Sequence, residues 1–383
     1  MKIVKVQATP VRLKTKRSNA TARGRGRFFS RTIVQLETDT GLTGLGECPR
    51  SVAAETITRR FGPRVLGLHP VDWRVARSRC LPPYREWGLI DESLDYFAFS
   101  GIEMAMWDLF AKSCGLPLYK VLGGAAQKKV PFVAYAYAVD KTEGHSEKDI
   151  PEIMANVART MVDQTGCKIF EFKVGHNTVD CEIETIRAVR KALPSEIGIA
   201  LDANMGYSLS DARRLLAGIA GIAIENFEEP VARLKEMEAL NREFNVPLST
   251  HCTNPEILAY YPRISGVVGD FALEGGLGEL FSVARQVRGV GKQFWLHTYQ
   301  EAGISWAARC HFSAACTDIG RPGQALTYWA EDDLVEGEPW LINDGGVGLP
   351  EKPGLGVELD HAAVALAHES YLKEGEENYL VPR

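Results

Sequence analysis

The chain has 383 residues, of which 45% are hydrophobic and 24% charged, with a formal net charge of -5. That leaves room for two domains and a large core in an ordinary globular composition. The mild negative charge argues against a general affinity for nucleic acid or anionic membranes, and 8 scattered cysteines with no CxxC pair argue against a disulfide scaffold or zinc ribbon and for a reducing, cytoplasmic setting.

In chain order, the start, MKIVKVQATPVRL, lacks the apolar core of a signal peptide. No apolar run is long enough to span a bilayer. IVKVQATPVRL and RTIVQLETD alternate as strands do, and TGLTGLGE supplies a glycine-rich turn and a third strand. Gly101–Lys112 is helical in pattern, and Gly115 and Pro117 end that region. A boundary falls near Gly124–Lys129. Beyond it, short apolar runs (VPFVAYAYA, KIFEFKVG, GIALDAN, IAIENFEEP, VPLSTHC, GVVGDFAL, KQFWLHT and QALTYW) alternate with amphipathic helices such as Thr178–Leu193 and Ser210–Ala217. Strand–helix alternation of this kind means parallel βα units, and the number and length suit a barrel. A doubly wound sheet is the runner-up, but no GxGxxG follows an early strand.

Polar residues gather at the C-terminal ends of those runs: Lys173, Asp202, Asn204, Glu228, Glu229, His251, Asp270 and His297. Singly, each reads equally well as a helix cap or salt bridge. Together they converge on one pocket, because a barrel puts its active site at that rim. Asp202, Glu228 and His251 end three consecutive strands and suit one divalent cation; two carboxylates favour Mg²⁺ or Mn²⁺. Such a cation would hold a substrate carboxylate while the α proton leaves. Lys173 and His297 are candidate general bases from opposite sides of the mouth. Asp270 stands where it could orient a histidine on the neighbouring strand through Nδ1. Tyr135 and Tyr137, two apart on the first barrel strand, share a face, which is either the site or the outer packing surface.

The segment Arg12–Arg31 carries Arg12, Lys14, Lys16, Arg17, Arg23, Arg25, Arg27 and Arg31 and no acid. It reads as a glycine-flexed lid that brings arginine to an acidic substrate, with Arg25 and Arg27 anchored by Phe28 and Phe29. The alternatives are a solvated basic loop and an RNA-binding arm, since RGRGR resembles RGG tracts.

Taken together, these segments resemble the enolase superfamily, in its mandelate racemase branch, and within it the glucarate dehydratase group. RFFSRTIVQLETDTGLTGLGE, GIEMAMWDLFAKSCGLPLYKVLGG, EFKVG, LDAN, FEEP, the Asp270/His297 pair and LPEKPGLGVELD carry the likeness over nearly the whole chain. It implies a modified TIM-type (β/α)7β barrel at 126–345. An α+β capping domain at 1–125 covers it, and a C-terminal segment at 346–383 returns to that cap. It implies Lys173 as acid/base on one face, the His297–Asp270 dyad on the other, and Asp202 and Glu228 as metal ligands. Asn204 matches a residue beside metal and substrate, Arg25 stands where a lid histidine is placed, and Tyr135 where a tyrosine meets substrate.

Two departures stand out. Glu171 occupies the position of the first lysine of K-x-K, and His251 the third metal position, usually Glu, Asp or Asn. Imidazole shifts preference from Mg²⁺ toward Mn²⁺, Fe²⁺ or Zn²⁺, unless His251 stays out of the ligand set. Glu171 is expected to replace a lost ligand charge or meet a cationic substrate group.

The expected activity is dehydration of an acid sugar to a 2-keto-3-deoxy acid, by a lyase using Mg²⁺ or Mn²⁺ on a small anionic substrate, in a homo-oligomer as is common in the family. Racemisation, epimerisation or cycloisomerisation on the same machinery is the alternative. A non-catalytic descendant with a broken metal site is the reading from a different class.

Overall fold

The computed structural model describes residues 1–83, 90–337 and 340–376, the side chains of 90–93 excepted; residues 377–383, the end of the expected C-terminal segment, lie outside them. The first strands form an antiparallel sheet: β1 (Ile3–Lys14), β2 (Phe28–Thr38) and β3 (Thr43–Pro49), in that order. The helix Ile90–Ser113 lies against this sheet so closely that only glycine fits. A Cβ on Gly46 would stand 1.9 Å from the Gly101 carbonyl oxygen, and one on Gly44 2.3 Å from that of Ala105. The glycines of TGLTGLGE thus serve backbone-to-backbone packing as well as the turn.

After β4 (Lys129–Pro131) come β5 (Ala134–Ala136), β6 (Ile169–Lys173), β7 (Gly198–Asp202), β8 (Asn226–Glu228), β9 (Leu248–Thr250), β10 (Gly266–Gly269) and β11 (Gln293–Leu296). Strands β5 to β11 form one parallel sheet in chain order, with helices between them. β12 (Gly346–Gly348) pairs antiparallel with β4. Side chains alternate as a pleated strand requires. Phe170, Phe172, Ile199 and Leu201 join helix residues Ile186 and Leu215 in the outer core, which leaves Glu171, Lys173 and Asp202 for the barrel interior.

Residues 319–324 close the curled sheet. Ile319 bridges Phe294 of β11, Gly323 bridges Phe132 beside β5, and the Gln324 amide donates to the Leu296 carbonyl at 3.0 Å. This corrects the expected eighth strand. QALTYW starts where pairing stops, and Thr327–Trp329 is a 3-10 turn whose Trp329 Nε1 donates to the Tyr135 carbonyl at 2.8 Å. The pairing residues, IGRPG, carry no strand-like alternation, whereas the buried turn does look like an apolar strand.

Carboxylates of the N-terminal half cap barrel helices. Glu47 of β3 accepts the amides of Ala302 and Ser305 at 2.9 and 2.8 Å, at the start of helix Gly303–Ala315. Glu103 accepts those of Leu277 and Gly278 at 2.8 and 2.9 Å, at the start of helix Leu277–Gly289. Each satisfies donors that a helix leaves unpaired and sets a negative charge at its positive end. Asp108 accepts from Leu45 at 2.8 Å and from Leu355 at 2.7 Å, joining sheet, helix and the returning chain. The helix His361–Glu374 then lies on β1, with His368 Nδ1 2.7 Å from the Pro10 carbonyl. All eight cysteines are free thiols. No helix among the described residues is long and apolar enough to cross a membrane.

Candidate active site

The register of the parallel sheet sets Lys173, Asp202 and Glu228 side by side on three consecutive strands. All three are buried. Lys173 Nζ lies 2.5 Å from Asp202 Oδ2, and the Tyr135 hydroxyl donates to the same oxygen at 2.5 Å. Tyr135 therefore faces the site, and burial followed by the Asp202 charge raises its hydroxyl well above the usual range. Asp202 Oδ1 accepts the Asn204 amide at 2.9 Å. Asn204 itself holds a left-handed backbone, φ 43°, which asparagine tolerates better than most residues.

Glu228 is the electrostatic centre. Its Oε2 accepts from Gln324 Nε2 at 2.7 Å, while its Oε1 is buried without a hydrogen-bond partner. Burial, then the neighbouring Asp202 charge, pushes this carboxyl well above the usual carboxylate range. His251 Nε2 stands 3.5 Å from that Oε1, and the other ring nitrogen is 3.2 Å from Glu229 Oε2. Glu229 also accepts the His251 amide at 3.0 Å from a left-handed backbone of its own, φ 37°. Burial opposes charge on both partners, yet their attraction prevails: His251 is raised to about 9 and Glu229 lowered to about 2, with Arg23 adding to the latter.

His297 lies across the mouth, its ring edge-on to His251 at 4.5 Å. Burial, then the charges of His251 and Lys173, holds its imidazole well below the usual histidine range. Its Nδ1 is 3.1 Å from Gln324 Oε1. The expected dyad is not formed. Asp270 faces Arg309 Nη1 at 3.2 Å and caps Ala272 at 2.7 Å, and no hydrogen bond joins it to His297 among the described residues. Arg309 also meets Glu301 at 3.1 Å, and a buried guanidinium holds a nearby carboxylate more strongly than an imidazole would. Even so, burial raises the Asp270 carboxyl to about 7.

Glu171 points into the barrel below Lys173, where its Oε1 accepts from Gln324 Nε2 at 2.6 Å and its Oε2 lies 3.5 Å from Arg321 Nη2. The Arg321 guanidinium rests over the Trp295 ring at 4.8 Å. The acid that replaces a lysine thus meets a cation from the closing segment. Gln324, Arg321 and Arg309 escaped the sequence reading. Gln324 carried a usable signal, since it stands at the C-terminal end of the closing segment as the other site residues do on theirs.

The segment expected as a lid lies over strand ends of the barrel, and the arginine expected at the substrate is engaged elsewhere. Residues of Arg12–Arg31 cover the ends of β5 and β6: Ala20 bridges Ala138, and the Thr21 carbonyl is 3.0 Å from His176 Nδ1. Arg25 pairs with Asp140 at 3.3 Å and Arg27 with Glu143 at 3.6 Å. It is Arg23, exposed at the lid tip, whose charge is felt at Glu229.

The donor set fits a divalent cation. Glu228 and His251 offer ligand atoms within 4.8 Å of each other and of His297, and the orphaned Glu228 oxygen calls for a positive partner. Asp202, the third expected ligand, lies outside that cluster, held by Lys173 and Tyr135, and with Glu171 adds buried negative charge. A family model described as enolase C-terminal domain-like matches residues 153–363, and the mandelate racemase / muconate lactonizing enzyme N-terminal domain matches 4–123. The chain belongs to the enolase superfamily, in its mandelate racemase branch. Among enolase-superfamily relatives, it is 27% identical over 375 residues to a probable glucarate dehydratase of Streptomyces coelicolor, covering 91% of this chain and 86% of that one. It is 26% identical over 383 residues to a hydrophobic dipeptide epimerase of Enterococcus faecalis, covering 95% and 98%. A crystal structure of an enolase from Pseudomonas fluorescens Pf0-1, with bound magnesium, potassium and tartrate, superposes with a TM-score of 0.87 at 25% identity, covering 99% of this chain and 95% of that one.

Proposed function

We propose that the protein dehydrates an acid sugar to a 2-keto-3-deoxy acid, by removing the proton α to a carboxylate and expelling the β hydroxyl as water. One observation carries the reading: a lysine and a histidine flank a buried carboxylate pair set in register at adjoining strand ends. Asp202, Glu228 and His251 are the residues that would hold a divalent cation, Mg²⁺ or Mn²⁺. When bound, it supplies fixed positive charge against the substrate carboxylate as the α carbon turns carbanionic.

Lys173, 2.5 Å from Asp202, works from one face and His297 from the other. One of them takes the α proton; the other gives a proton to the departing β hydroxyl, so that the balance is one water lost. The enol left behind ketonises at C2. Tyr135 and Asn204 bound the pocket on the Asp202 side. Glu171, paired with Arg321 and Gln324, braces the floor.

Epimerisation is the second reading, favoured by the presence of a proton-transfer group on each face and by the epimerase among the relatives. A screen of acid sugars with Mg²⁺ and with Mn²⁺ for 2-keto acid formation, read by semicarbazide absorbance, separates the two. A positive substrate establishes dehydration. No 2-keto acid, together with α-proton exchange into D₂O, overturns it in favour of epimerisation. A protein that takes up no divalent ion defeats both.

A further inference from the structure

We infer that Gln324 is a positioning residue that fixes which nitrogen of His297 carries hydrogen, leaving Nε2 bare to accept the substrate proton. The inference rests on His297 being a proton-transfer group, as proposed above, and adds what sets that group's tautomer.

The argument is one of hydrogen-bond bookkeeping. An amide side chain has two N–H donors and one carbonyl oxygen. Gln324 is fully buried, and both of its N–H groups are committed: Nε2 donates to Glu171 Oε1 at 2.6 Å and to Glu228 Oε2 at 2.7 Å. Turning the amide over would face its one oxygen with Glu171 Oε1 and Glu228 Oε2 and leave the NH₂ against the histidine; the orientation that gives all three groups a partner has Oε1 toward His297. What remains toward His297 Nδ1 is Oε1, at 3.1 Å, an acceptor only. A neutral imidazole has one N–H, and it must sit on Nδ1 to meet that oxygen. Nε2 then holds a lone pair.

The backbone of Gln324 is locked as firmly as its amide. Its N–H donates to the Leu296 carbonyl at 3.0 Å, and its carbonyl accepts from Arg309 Nη2 at 2.9 Å. Asp270 is meanwhile committed to Arg309 and to the Ala272 amide, so it does not compete for Nδ1. One side chain thereby ties the base to two of the carboxylates that line the site.

The test reads the tautomer directly, by long-range ¹H–¹⁵N correlation on Mg²⁺-loaded protein labelled with ¹⁵N-histidine, with His297→Asn assigning the ring. Wild type is expected to show hydrogen on Nδ1 and none on Nε2. Gln324→Leu should move it to Nε2, and Gln324→Glu, which keeps an acceptor, should restore Nδ1–H. Asp270→Asn should leave the tautomer as in wild type. Hydrogen on Nε2 in the wild type overturns the inference without any variant, so a Leu variant that fails to fold does not block the test. Retention of Nδ1–H in Gln324→Leu, or its loss in Asp270→Asn alone, also overturns it. The kcat of Gln324→Leu should fall by roughly 10²–10⁴-fold, the usual worth of a general base. Alpha-proton exchange by His297→Asn reports separately on the role of His297, so the two failures are distinguishable.

Discussion

On the proposed reading, Lys173 and His297 are the residues on which the chemistry turns. Lys173→Ala and His297→Asn should each cut turnover by about 10²–10⁴-fold while circular dichroism stays that of wild type. Near-full activity in either would end the two-sided scheme. The His251–Glu229 pair makes a pH prediction for metal-free protein. Glu229, held down to about 2, adds stability above its unfolded pKa of about 4.3, and this is lost only as pH falls toward 2. His251, raised to about 9, adds stability that is complete below its unfolded pKa of about 6.5 and is lost as pH rises through 9. The melting temperature should therefore drop between pH 6.5 and 9.5, and less so in His251→Asn; equal drops would mean that the pair contributes nothing. Most of the strand-end residues singled out in the sequence are brought together in one place, because strand period and strand ends are written into the order of apolar and polar residues. The partner of His297 was not legible. Whether an aspartate turns to a histidine or to an arginine depends on side chains brought from distant helices, and Arg309 carries no local mark.

At the scale of elements, the lid and the cap packing make separate demands. Arg25, one-third exposed, spends its charge on Asp140, and such a pair is worth about 0–1 kcal/mol. The charge of Arg23 is felt at Glu229 instead. Arg23→Ala is thus expected to raise KM for an anionic substrate more than Arg25→Ala does; the reverse order would return Arg25 to the pocket. Under the helix Ile90–Ser113, Gly46→Ala would force a methyl group to within 1.9 Å of the Gly101 oxygen, and overpacking of that kind costs about 1–3 kcal/mol, to be read from denaturant melts. The sequence shows that Gly46 lies in a glycine-rich stretch, but not that a helix lies above it. The closing segment differs for a related reason: its pairing residues are Ile319, Gly320, Arg321, Pro322 and Gly323, and one apolar side chain in five leaves no hydrophobic period to mark a strand.

Across the whole molecule, the two halves are joined by buried charge. Arg31 Nε meets Glu47 Oε1 at 2.6 Å, Glu47 caps the helix that begins at Gly303, and Arg309 on that helix reaches Asp270 and Glu301. Removing one member of such a pair strands the other. Glu47→Ala should cost about 3–5 kcal/mol and lower the melting point of the entire chain, whose unfolding by calorimetry should be a single transition. Two transitions in the wild type would show that cap and barrel melt independently. The general architecture was legible, since alternation of strand and helix and a strand-rich start are properties of local pattern; the seam was not, since Glu47 and the amides it caps lie 255 and 258 residues apart in the chain. That seam limits how such proteins are recombined. A hybrid that takes residues 1–123 from one relative and the barrel from another would keep the Arg31–Glu47 pair whole but take Glu47 and Glu103 from one parent and the helix starts they cap from the other. Unless the second parent sets its two helix starts against Glu47 and Glu103 in the same way, the hybrid would bury carboxylates without the amides that satisfy them.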